Sequence, residues 1–356
     1  MSVSYNQPQL YIDGQWLSGD GRCSEPVIDP ATEQVLADLP HASQTDLDNA
    51  LGAAARAFPA WRDTAPLERA RLLRQAATLL RERVDDIARQ TTLEQGKPVR
   101  EARLEILASA DTFDWYAEEG RRSYGRIVPG RHPGNRISVM QEPVGVVAAF
   151  APWNFPAITP ARKIAGALAA GCTLILKPSE ETPNTALALA RALHDAGLPA
   201  GVLNVVFGVP TEVSEYLIAS PVVAKISLTG STIVGKLVAQ QAARSLKRTT
   251  LELGGHGPVI VCADADIDRA ADLLVAGKYR NAGQICIAPT RFYVHESRYA
   301  AFVQAFVQRT RALLVGNGLD ERSTMGPLAN PRRAAAMERL LADAANCGAT
   351  LQTGGE

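Results

Sequence analysis

The chain has 356 residues, 46% of them hydrophobic and 21% charged, and its 37 basic residues are balanced by 37 acidic ones. This length exceeds what one small core fills, so two or three domains are expected. Zero net charge removes any global electrostatic drive toward nucleic acid or membrane surfaces, and neither is expected as a partner. The apolar runs, such as VGVVAAFAPW, are too short and interrupted to span a bilayer. The first residues, MSVSYNQPQLYIDGQW, lack the basic-then-apolar texture of a signal peptide. Five cysteines (Cys23, Cys172, Cys262, Cys286 and Cys347) show no C-x-x-C spacing, which argues against disulfides and a structural metal site and for a cytoplasmic location.

Along the chain, SQTDLDNALGAAARAF and PLERARLLRQAATLLRERVDDIARQ carry apolar residues at three-and-four spacing, so helices are predicted from about residue 43 to 96, the first capped by Ser43 or Thr45. Residues 123–142 hold two polar extended pieces around a Pro/Gly turn and read as a protruding hairpin. Such a hairpin either docks on another subunit or stands alone on the surface. Beyond Val144 short β-branched runs (VGVVAAFA, TLILKP, VLNVVFG, AKISLTG, TTLELG, PVIVCA, RFYVH) alternate with Ala-rich helical stretches. That alternation predicts an α/β chain with a Rossmann-type, mostly parallel sheet covered by helices.

Two strand ends look suited to a nucleotide. TGSTIVGK ends a predicted strand and opens a predicted helix, where free backbone N–H groups and the positive helix end face an anion. Gly230 to Lys236 nearly fits the phosphate-loop pattern of an NTPase, but Leu237 replaces the hydroxyl residue that would hold magnesium. A dinucleotide pyrophosphate held by Gly230, Ser231 and the helix start is the better reading, although no G-x-G-x-x-G fingerprint occurs. At the end of TLILKP, Lys177 and Glu180 emerge where open α/β sheets bind ligands. A carboxylate at Glu180 suits two ribose hydroxyls and repels a 2′-phosphate, so NAD is expected over NADP. A solvated turn is the alternative for this string.

Chemistry is concentrated in YRNAGQIC, which holds Cys286, and LELGGHGP, which holds Glu252. A thiol and a carboxylate, each set among glycines between strand-like runs, suffice for forming and hydrolysing a thioester. Taken singly, each has a plainer explanation: a lone cysteine is more often an inert buried side chain, the reading given to Cys23, Cys172, Cys262 and Cys347, and a glutamate beside Gly-Gly is often a turn anchor.

The strings APWNFP, LKPSEETP, SLTGSTIVG, LELGG and GQIC, in this order, resemble the NAD(P)-dependent aldehyde dehydrogenase superfamily. GRIVPGR, LGGHGPVIV and LANPRR make the chain look closest to succinate-semialdehyde and 2-oxoglutarate-semialdehyde dehydrogenases. The resemblance implies that Cys286 is the nucleophile, that the Asn154 amide and the Cys286 backbone N–H stabilise the oxyanion, and that Glu252 activates the hydrolytic water. Each oxyanion donor is worth about 3–4 kcal/mol in comparable acyl chemistry. It further implies that Trp153, Lys177, Pro178, Ser179, Glu180, Gly230, Ser231 and Leu253 hold the cofactor. Arg162 in PARKIAGALAAG and Arg280 in YRNAGQIC would bind the distal carboxylate of a small-molecule semialdehyde. Either arginine could instead cap a helix or pair on the surface.

The same resemblance sets the domain expectation. Residues 1–254 would form an NAD-binding domain carrying the 123–142 oligomerisation hairpin of a homodimer or homotetramer. Residues 255–356 would form the first part of a catalytic domain, since family members continue through an E-x-F-G-P string that this chain does not contain. A catalytically inactive, nucleotide-binding remnant is the second reading.

Overall fold

A computed structural model describes residues 4–355. The chain packs as two compact units. The first comprises the chain up to Val27, Ala37–Ile87 and Arg103–Leu253; the second comprises Ile28–Leu36, Ala88–Ala102 and the chain from Gly254 onward.

In the first unit β1 (Leu10–Ile12) and β2 (Gln15–Leu17) form a hairpin, and β3 (Ser24–Ile28) and β4 (Val35–Pro40) form a two-stranded ribbon. Helices α1 (Gln44–Asp63), α2 (Pro66–Glu82), α3 (Val84–Gln95) and α4 (Val99–Arg121) follow along the chain, most of α3 and the first residues of α4 belonging to the second unit. Ser43 caps α1 through a reciprocal box with Asp46, and Leu47, Ala50, Leu51 and Ala54 form its buried stripe. The expected hairpin is β5 (Arg126–Pro129) paired antiparallel with β6 (Arg136–Val139), almost wholly exposed.

A regular alternation then runs β7 (Val146–Phe150), α5 (Ile158–Ala169), β8 (Thr173–Lys177), α6 (Pro183–Asp195), β9 (Leu203–Val205), α7 (Pro210–Ala219), β10 (Val223–Gly230), α8 (Thr232–Ala243) and β11 (Arg248–Leu253). Among the described residues these strands build a seven-stranded sheet in the order β11-β10-β7-β8-β9-β1-β2, parallel from β11 to β9 and antiparallel where β1 and β2 extend it. Strands β7, β8 and β9 are buried at every position. Because successive side chains point to opposite faces, this means that both faces are covered, as a parallel sheet requires. From β7 the chain winds outward to β9 and then returns to place β10 on the other side of β7. The order therefore reverses between β7 and β10, and the crevice outside their carboxyl ends is where open sheets take ligands.

In the second unit β12 (Gly257–Val261) runs parallel to β13 (Pro289–Val294), joined by α9 (Ile267–Tyr279) and a 3₁₀ turn at Arg280–Gly283; α10 (Tyr299–Arg311) and α11 (Pro331–Asn346) complete it. Phe292, Phe302 and Phe306 form its aromatic cluster, with ring centroids 5.4–6.1 Å apart. The first turn of α4 is tied to this unit by hydrogen bonds. Val99 N–H donates to the Gly318 carbonyl at 3.0 Å, and Arg100 Nη2 donates to the Thr324 carbonyl at 3.1 Å. A Cβ on Gly318 would stand 2.5 Å from the Lys97 carbonyl oxygen, and one on Gly326 would overlap the Gly96 carbonyl.

Several expectations change. Helices α4, α7, α9, α10 and α11 and strands β1 to β4 were not assigned from the sequence. The division falls at 253/254 but is not a single cut, since 28–36 and 88–102 belong with the later residues. Of the four cysteines expected to be buried, only Cys172 is; Cys23, Cys262 and Cys347 are exposed, and all five thiols are free. Among the described residues no helix is long and apolar enough to cross a membrane, and no cluster of His, Cys, Asp and Glu is arranged to hold a metal.

Candidate active site

The first unit collects eleven of the thirteen expected site residues at or just beyond the carboxyl ends of its parallel strands, or on the helix that follows. After β7 the chain turns through Trp153 and Asn154 into α5. The Asn154 Oδ1 accepts the Phe155 N–H at 3.1 Å, which orients the amide. Ala157, at the helix start, has no side chain with which to cap α5. Glu105, on α4 and almost wholly buried, does so instead: its Oε1 accepts the Ala157 and Ile158 N–H groups at 2.8 and 3.1 Å. The Asn154 loop is thereby anchored at its far end. On α5 itself Arg162 is exposed, while the next residue, Lys163, points inward and donates to Ser227 Oγ on β10 at 3.0 Å.

At the end of β8, Lys177, Pro178 and Ser179 are buried and Glu180 is half-buried. Lys177 Nζ donates to the Pro178 carbonyl at 3.2 Å and forms an ion pair with Glu180. Burial pushes the Lys177 ammonium down to about 7, against the opposing pull of Glu25 and Glu181. The LKPSEETP string is therefore not a solvated turn. At the end of β10, Gly230 leads into Ser231, the N-cap of α8, whose Oγ accepts the Val234 N–H at 3.2 Å. In the neighbouring strand Glu252 stands opposite Thr229 and Leu253 opposite Gly230, so the exposed Glu252 carboxylate is carried one residue before the Gly230–Ser231 turn.

Lys163 is a member of this site that the motif reading missed. Burial pushes it down to about 8, while Glu252 favours its charged form and Lys225 opposes it. A half-buried cation that interacts with the expected base is electrostatically useful, but the one-letter sequence offers no signal for it beyond its place after Arg162.

The second unit holds the other two expected residues. Arg280 opens the 3₁₀ turn, and both it and Cys286 are exposed. Asn281 and Ala282 have φ of 50° and 53°, a left-handed conformation that costs an alanine about 1–2 kcal/mol. Gly283 follows at φ 73°. Gln284 is buried and clamps the turn: Nε2 donates to the Asn281 carbonyl at 3.0 Å, and Oε1 accepts the Ala329 N–H at 3.0 Å. The Asn281 N–H in turn donates to Glu101 Oε2 at 2.8 Å. An arginine and a thiol are thus displayed on one exposed loop whose base is rigidly fixed.

The donor set of the first unit fits a dinucleotide. The capped start of α8 supplies backbone N–H groups for a pyrophosphate, and Val209, Ile233 and Val234, exposed at the starts of α7 and α8, offer an apolar surface for a base.

The model of the aldehyde dehydrogenase family matches residues 16–356. The 4-(hydroxymethyl)benzenesulfonate dehydrogenase of Comamonas testosteroni is 49% identical over 348 residues, 98% of this chain and 73% of that one. The succinate-semialdehyde dehydrogenase (NADP(+)) of Escherichia coli K12 is 44% identical over 98% of this chain and 72% of its own length. A crystal structure of succinate-semialdehyde dehydrogenase from Burkholderia pseudomallei superposes with a TM-score of 0.96 at 44% identity, covering 98% of this chain and 72% of that one. With the fold, the strand-end residues and these matches in agreement, the chain belongs to the aldehyde dehydrogenase family, oxidoreductases that use NAD or NADP.

Proposed function

We propose that the protein oxidises a short aldehyde bearing a remote carboxylate, a semialdehyde such as that of succinate or 2-oxoglutarate, to the acid. The observation that carries this reading is the display of Arg280 and Cys286 on one exposed, clamped loop. Cys286 attacks the aldehyde carbon, and the Cys286 N–H and the Asn154 amide donate to the oxygen that becomes an alkoxide. NAD(P)+, when bound, accepts the hydride released as that alkoxide collapses. Glu252 then takes a proton from the water that cleaves the Cys286 thioester. Glu252 favours hydrolysis over transfer to an external thiol such as coenzyme A, which needs no such base.

Cofactor roles fall to Trp153, Lys177, Pro178, Ser179, Glu180, Gly230, Ser231 and Leu253. The half-buried Glu180 carboxylate supports NAD over NADP, because it would face the 2′-position with negative charge. On this reading the first unit binds the dinucleotide and the second carries the nucleophile. Tyr124, Ile127, Ile137 and Met140 are between 53% and 74% exposed on and beside the β5–β6 hairpin, which supports its docking on another subunit of a homodimer or homotetramer. The free cysteines support a cytoplasmic location.

Arg162 and Arg280 hold the distal carboxylate. Arg162→Leu is expected to raise KM for succinate semialdehyde about tenfold or more while leaving KM for propanal nearly unchanged. Equal effects on both aldehydes would contradict the clamp. A purified protein that binds NAD but forms no NADH from any aldehyde in the panel would favour the inactive remnant.

A further inference from the structure

The loop that carries Cys286 is held in a conformation its own residues do not favour. Asn281, Ala282 and Gly283 are all left-handed, with φ of 50°, 53° and 73°. Glycine adopts that region freely and asparagine tolerates it, but alanine does not. An isolated chain of this sequence would leave the conformation, so contacts from outside the turn must keep it.

Gln284 supplies one such contact from within the loop, and Glu101 supplies another from a distant element. Glu101 lies in the first turn of α4, where an acidic residue is commonly found simply because it suits the positive helix end. Its geometry shows a different use. The carboxylate reaches across to accept the N–H of Asn281, the first left-handed residue, at 2.8 Å. Asn281 is 2% exposed, so this N–H has no water to replace the bond if the acceptor is lost. Burial raises the Glu101 carboxyl above its ordinary range, opposed by the Asn281 N–H and by the positive charges of Lys97, Arg280 and Arg100. A carboxylate kept half-buried at such a cost, beside the arginine of the expected substrate clamp, is placed to serve the loop. The α4 start that bears it is itself fixed by the Val99 and Arg100 bonds to Gly318 and Thr324.

We propose that Glu101 is a positioning residue for the nucleophile: by accepting the Asn281 N–H it holds residues 281–283 left-handed and so fixes where Arg280 and the Cys286 thiol stand. This rests on the reading of Cys286 as the nucleophile.

The test compares Glu101→Ala and Glu101→Gln with the native protein. Amide hydrogen exchange of a peptide spanning residues 279–288, measured without substrate, reads the turn directly. Glu101→Ala is expected to speed its exchange about tenfold, with peptides of α10 unchanged. In kinetics the same variant should lower kcat for the aldehyde while Kd for NAD stays constant. Glu101→Gln, whose amide oxygen can accept the same N–H, should return exchange and kcat to within about threefold of native. The proposal is overturned if Glu101→Ala leaves the peptide's exchange unchanged, if exchange rises equally throughout the second unit, or if the glutamine variant is as impaired as the alanine one. Turnover retained by Cys286→Ser would instead remove the nucleophile reading, a result separate from the exchange measurement.

Discussion

Lys163 is the residue whose chemistry is most sensitive to its surroundings. Burial holds its ammonium down to about 8, so a positive charge that interacts with the Glu252 carboxylate is present below that pH and is lost above it. The linkage has a definite sign. A lysine whose native pKa is depressed binds fewer protons folded than unfolded, so stability rises as pH climbs from about 8 toward the ordinary lysine value near 10.4. Lys163→Met removes this titration. The native protein is therefore expected to gain melting temperature relative to Lys163→Met between pH 7 and pH 10; a constant difference would show that Lys163 does not titrate there. Cys286, Glu252 and Asn154 could be proposed from the sequence because acyl chemistry demands those residue types in recognisable strings. Lys163, Glu101 and Glu105 could not, because each acts through a partner 50 or more residues away in sequence, and neither spacing nor composition records such a pairing.

Among the elements, α5 depends on a borrowed cap. Ala157 offers no acceptor, and the two N–H groups at the helix start are satisfied by the buried Glu105 carboxylate. Removing it in Glu105→Ala strips the acceptor from the buried Ala157 N–H and the part-buried Ile158 N–H, which should cost about 2–3 kcal/mol in urea unfolding with the m-value unchanged. The same substitution should lower kcat, since α5 follows directly on the Asn154 loop. A loss below about 0.5 kcal/mol would mean that water replaces the carboxylate. The parallel strands β8 and β10 announced themselves as runs with β-branched residues ending in lysine or glycine, β7 as the apolar run VVAAF, and Ser43 marked the start of α1. Strands β1 and β2 are three residues each and too short to show a period. Helix α7 spans only ten residues behind Pro210, and its run of apolar and polar residues has no clear stripe.

For the whole molecule, the contacts divide the chain at 253/254, and sequence order cannot show that 28–36 and 88–102 belong with the later unit. What binds the second of these is close backbone approach, made possible where Gly318 and Gly326 lack a Cβ. Gly326→Ala must push a side chain into the Gly96 carbonyl, so a loss of about 1–3 kcal/mol is expected in thermal or urea unfolding. A neutral outcome would show that this segment is free to shift. The proposed chemistry leaves an acyl group on Cys286 before hydrolysis, and the most direct measurement is the intact mass of Glu252→Gln incubated with succinate semialdehyde and NAD. The account predicts an acyl adduct that peptide mapping places on Cys286, that persists because its hydrolysis has lost the base, and that is absent from the Cys286→Ala double variant. No adduct on an otherwise inactive Glu252→Gln protein, or an adduct that survives loss of Cys286, would contradict it.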